Sequence, residues 1–113
     1  MTRWFPAAIL LALSGCATVS GEHVLTGTPG PAYSGAVKVV MEGAAEPVGY
    51  QEVGIVSATG VSTQATLEAV LGQLQAEAAK LGCDAVIHVR YDRGAESATG
   101  TGVAVWLQAE PAR

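Results

Sequence analysis

One run in this chain repeats its apolar residues at three-and-four spacing, and it lies between segments of β-type sequence on both sides. Leu67, Val70, Leu71, Leu74, Ala78 and Leu81 recur along residues 63–81, while Gln64, Glu68, Gln75 and Lys80 fall mostly elsewhere. A single amphipathic helix has no second helix to pack on, so its apolar stripe must be buried on a sheet. Ser62 or Thr63 is placed to cap its first amides, and Gly82 follows the last apolar position, where a left-handed residue ends a helix. Lys80 complements the negative end of the helix dipole.

The flanking segments read as strands. Residues 36–41 are β-branched and bounded by glycine, and residues 42–49 form a connection rich in small residues. Residues 50–57 make a second strand with Val53 and Ile55 on one face, and Gly54 inside it marks a bulge or a close backbone approach. Residues 83–92 alternate, with Cys83, Ala85, Ile87, Val89 and Tyr91 on one side and Asp84, His88, Arg90 and Asp92 on the other; Val86 breaks the pattern. Residues 93–96 form a turn. A last strand, 97–108, sets Val103, Val105 and Leu107 against a nearly bare face of Gly100, Gly102 and Ala104, ending at Trp106. The expected fold is α+β: a two-layer ββαββ domain over residues 36–108, a mostly antiparallel sheet with one long helix on one face, and a short tail at 109–113.

The N-terminus is of another kind. Arg3 precedes an apolar run from Trp4 to Leu13, followed by Ser14, Gly15 and Cys16. A basic start, an apolar core of about 7–15 residues and a small-residue end make a secretory signal peptide at residues 1–15. The run is shorter than the roughly 20 apolar residues that span a bilayer. Leu13-Ser14-Gly15-Cys16 resembles the bacterial lipobox, which implies lipidation of Cys16 and cleavage before it. More than one acyl chain is needed for stable anchoring. In such lipoproteins a residue other than Asp after the cysteine, here Ala17, implies sorting to the outer membrane of a Gram-negative cell. Residues 16–35 contain Gly21, Gly27, Gly30, Gly35, Pro29 and Pro31 and read as a flexible tether from the lipidated cysteine, with Tyr33 as a docking point.

With Cys16 acylated, Cys83 has no partner within the chain. An odd cysteine in an exported protein pairs between molecules, reacts, or is buried and inert; its phase with Ala85 and Ile87 favours the last. Of 113 residues, 10 are acidic and 6 basic, for a net charge of −4, so no basic stripe for nucleic acid is present.

A second resemblance is carried by Glu52-Val53-Gly54-Ile55-Val56, the long helix, the run from Leu81-Gly82-Cys83-Asp84-Ala85-Val86-Ile87 to Asp92, and Gly100-Thr101-Gly102-Val103-Ala104-Val105. Together they resemble the YbjQ-like domain, a family labelled as heavy-metal-binding, and the layout is similar to that of RcsF-type outer-membrane lipoproteins. The chain lacks the paired cysteines of the RcsF type, so a stress-sensing role does not carry over.

Chemistry is sparse. Metal ligation needs converging Cys, His and carboxylate groups. His23 lies in the expected tether, and Cys83 and His88 fall on opposite faces of one strand. Asp84, His88 and Asp92 share a face but sit about 13 Å apart at each step, by strand rise. They read as a solvated polar face; a metal site at Cys83 or His88 would require a subunit interface. No nucleophile elbow or phosphate loop is present, and no enzymatic activity or cofactor is expected. The Gly/Ala strip beside Trp106 reads as a small-residue surface where something packs closely, and another copy of the chain is one partner it would suit. The sequence therefore points to a small binding or structural module anchored in the envelope and facing the periplasm. Its alternatives are an envelope metal-binding protein with an interface site and a periplasmic sensor acting through an envelope protein partner.

Overall fold

The computed structural model describes residues 17–107. The expected signal peptide, the lipidated Cys16 and the tail 109–113 lie outside them. The described chain builds one five-stranded sheet and one long helix: β1 (Val19–Leu25), β2 (Lys38–Met41), β3 (Gln51–Val61), α1 (Leu67–Lys80), β4 (Ala85–Arg93) and β5 (Ser97–Trp106). The strand order is β1-β3-β5-β4-β2. The α+β class is as expected, with α1 lying across the sheet and touching every strand.

Two features of the topology correct the expected ββαββ arrangement. First, residues 19–25 are no tether. They form an edge strand paired antiparallel with β3, from Val19 opposite Gly60 to Leu25 opposite Gly54. The small and polar residues that suggest a linker suit an edge here, because Gly21 lies against the Gln73 and Glu77 side chains of α1. Second, the sheet is mixed and not mostly antiparallel: β2 leaves its sequence neighbour β3 and pairs in parallel with β4. Both edges of β3 are occupied, by β1 and β5, and β2 takes the outer edge of β4. Strands β3 and β4 run parallel on either side of β5 and are joined by α1, a split β–α–β unit.

Strand phase is set by two bulges. In β3 the register with β5 shifts between Glu52 and Gly54, which buries Val53, then Val56 and Ala58, and turns Ile55 outward. Val53 and Ile55 thus do not share a face. In β4 the register shifts between Ile87 and Arg90, so that His88 and Val89 together oppose Gly102; His88 adopts φ 55°. Val86 broke the alternation because both faces of β4 are buried at that point, and the bulge after it brings Val89 onto the face of Val86. Val86 and Val89 face α1 in the main core, whereas Ala85 and Ile87 enter a second cluster on the opposite face with Val105, Val40, Tyr50, Val103 and Leu107.

The helix starts later than its apolar pattern suggests. Strand β3 continues to Val61, a 3-10 turn spans Ser62–Gln64, and extended Thr66 is the cap, its side chain accepting from the Ala69 amide at 3.1 Å. The other end is as expected. Gly82 has φ 84°, and the Gly82 and Cys83 amides bond back to the Ala79 and Ala78 carbonyls, both at 3.0 Å. Val70, Leu74 and Ala78 are fully buried, and withdrawing a side chain such as Leu74 from water contributes about 1.5–3 kcal/mol. Leu67, by contrast, is exposed.

The Gly/Ala strip of β5 is no free surface. Ala98, Gly100, Gly102 and Ala104 are buried beneath the molecule's own helix and the neighbouring valines. A Cβ at Gly100 would lie 2.6 Å from Val70 Cγ1, and one at Gly102 would lie 2.5 Å from Val86 Cγ1. The missing side chains let α1 approach the sheet.

Candidate functional site

A concave region lies where the chain leaves β1. The Thr26 and Gly27 amides both donate to the Val53 carbonyl at 2.9 Å, at the β3 bulge. The segment then crosses the C-terminal end of α1, where the Gly30 amide donates to Leu81 O at 3.0 Å and the Tyr33 amide to Ala79 O at 2.8 Å. The Leu81 carbonyl lies past the end of the regular ladder and gains its partner from the crossing segment, whereas Ala79 O, already bonded to the Gly82 amide, gains a second. Gly82 permits the crossing, since a Cβ there would lie 2.8 Å from Pro31 O.

Beneath this strap is a half-open cavity of about 420 Å³ lined by Val53, Leu81, Pro31, Tyr33, Trp106 and Gln51, among others. Tyr33 and Trp106 meet edge to face at 5.7 Å and 75°, an arrangement favoured by the ring quadrupoles. No ionisable side chain other than the Tyr33 phenol lines the cavity. The sequence marked Tyr33 as a docking point and Trp106 as the end of a strand. Their meeting depends on a crossover that sequence periodicity does not encode.

The ionisable residues singled out from the sequence are dispersed. Cys83 is completely buried in the main core, and burial, with the Asp84 charge beside it, pushes its thiol up to about 11. It is therefore closed to a metal shared between copies. His88 lies exposed on its bulge, 3.4 Å from Glu46. Asp84, expected on a solvated face, is 5% exposed. Its carboxylate accepts from the Leu107 amide at 2.7 Å and fastens the end of β5. Asp92 is paired at 4.0 Å with Arg90, a surface contact of little energetic weight. Among the described residues no three His, Cys, Asp or Glu side chains are grouped to hold a metal, and no helix is long and apolar enough to cross a membrane.

The sequence reading missed a buried carboxylate. Glu77 sits on the apolar side of α1 at 3% exposure. His23 Nδ1 contacts it at 3.1 Å, Lys80 Nζ donates at 3.1 Å and Gln73 Nε2 at 3.4 Å. Burial opposes ionisation of Glu77, but these partners outweigh it and hold the carboxyl below its ordinary value. The spacing of Gln73, Glu77 and Lys80 is visible in the sequence. The partner that closes the cluster, His23, comes from β1. No family model, curated protein or solved structure matches this chain.

Proposed function

We propose that the chain is a lipid-anchored cell-envelope protein, held through Cys16, whose folded domain is a small binding module facing the periplasm from the outer membrane of a Gram-negative cell. The observation that carries the binding role is the cavity under residues 27–35. Its volume of about 420 Å³ falls in the range of about 300–1,000 Å³ common to small-molecule sites. Val53, Leu81, Pro31 and the Tyr33–Trp106 pair favour an uncharged, largely apolar ligand bearing a ring, with Gln51 and Thr28 as its polar contacts. The same reading groups the domain with YbjQ-like domains, on residues 52–56, 81–92 and 100–105, as a binding module without enzymatic activity.

Trp4 and Trp106 are the two tryptophans of the chain, so residues 17–113 carry a single tryptophan, at the cavity. Titration of that soluble form with N-phenyl-1-naphthylamine is expected to transfer Trp106 excitation to the probe saturably. Ala32→Phe, which fills the cavity mouth, should abolish the transfer. An absence of saturable transfer, or its persistence in Ala32→Phe, rejects the cavity as the site. Anchoring is tested separately: Cys16→Ser should move the protein from membranes to the soluble periplasm.

A further inference from the structure

We infer that the domain is seated directly on the bilayer by the end formed by Val61–Gln64 and Leu67, with the cavity turned away from the lipid. The inference rests on acylation of Cys16 and adds what the fold says about geometry. Strand β1 begins at Val19, opposite Gly60, and the Val61 amide already holds the Thr18 carbonyl at 2.8 Å. Only Ala17 and Thr18 separate Cys16 from the sheet. At a maximum of roughly 3.6 Å per residue, the acylated residue lies within about 11 Å of Val19. A chain so short cannot hold the domain away from the headgroups.

The anchored end presents a surface suited to that contact. Val61 is 37% exposed and Leu67 43% exposed, and between them the 3-10 turn Ser62–Gln64 carries no charge. The β4–β5 turn lies alongside, with Ser62 N donating to Glu96 O at 2.8 Å. Arg93 is outnumbered here by Glu68 and Glu96, so the holding force is the acyl chains with the apolar side chains beside them, not attraction to anionic headgroups. Val53, at the cavity, lies eight residues along β3 from Val61, roughly 26 Å at about 3.3 Å per residue. A ligand would therefore reach the cavity from the aqueous side.

The test uses the full chain, processed and acylated in cells, reconstituted into phosphatidylethanolamine–phosphatidylglycerol vesicles with brominated acyl chains. Bromine quenches tryptophan at short range. Trp106 of the processed protein should keep its emission. Tryptophan placed by Leu67→Trp or Thr63→Trp, each combined with Trp106→Phe, should lose emission. A flexible ten-residue insertion between Ala17 and Thr18 should restore it while the protein still floats with the vesicles. If the acylated protein floats but both introduced tryptophans stay bright, or Trp106 is quenched as strongly, the seating is wrong and the anchoring stands. A protein that neither carries acyl mass nor floats overturns both.

Discussion

Glu77 shows how a residue can be polar in the sequence and structural in the fold. Its carboxylate is buried under β1 with His23, Lys80 and Gln73 as partners, and a hydrogen bond to a charged group contributes about 1.5–3 kcal/mol. Because the folded carboxyl titrates below its ordinary value of 4.5, its contribution is complete above that pH and disappears as pH falls through the folded value. Glu77→Gln should destabilise the domain at pH 7 by about 1–3 kcal/mol. It should also flatten the loss of stability as pH falls below the ordinary value of 4.5, as followed by urea unfolding across the acid range. Cys83 makes the opposite case, since its type already suggested burial. With the thiol pushed up to about 11, it should resist a disulfide reagent at pH 8 in the folded protein and react at once in denaturant. Reaction with native protein at the rate of a free thiol would contradict the packing. His88 was legible as exposed, but its φ of 55° was not, because β-type alternation assumes an unbroken strand.

At the scale of elements, the helix was legible because its three-and-four spacing and the Gly82 stop are local properties. Its first turn was displaced because β3 runs on to Val61 and Thr66, not Ser62 or Thr63, captures a free amide. Strands β2 to β5 were legible in place, β1 was not, and phase was lost in β3 and β4: each bulge adds one residue and exchanges the two faces beyond it. The Gly/Ala strip of β5 was noticed in the sequence, yet what covers it is α1 and not another copy. Gly100→Val would drive a side chain into Val70 and Leu74, and overpacking of this kind costs about 1–3 kcal/mol. Urea denaturation should show that loss, whereas Thr99→Val, exposed on the far face of β5, should change stability by less than about 0.5 kcal/mol. Equal effects at the two positions would contradict the placement of α1.

For the whole molecule, the decisive correction concerns residues 17–35. Their glycines and prolines suggested a tether, yet the segment supplies an edge strand, covers Glu77, and then caps the helix end and roofs the cavity. Deleting residues 17–26 should therefore lower the melting temperature sharply and expose Glu77, where loss of a true tether would leave it unchanged. Circular dichroism melts of the two soluble forms decide this. Even a loss of about 2 kcal/mol is a large share of the stability of a domain this small.

The sequence by itself determined what is encoded locally: one helix with its stop signal, the strand-forming runs of β2 to β5, the turn between β4 and β5, and the burial of Cys83. These follow from residue type and spacing along a few turns of chain. Only the tertiary structure decided that β1 joins β3, that β2 crosses to β4, that Glu77 meets His23, and that Tyr33 and Trp106 wall one cavity. Each of these joins residues tens of positions apart, and the free energy that selects them comes from filling edges and burying faces, which no local spacing records.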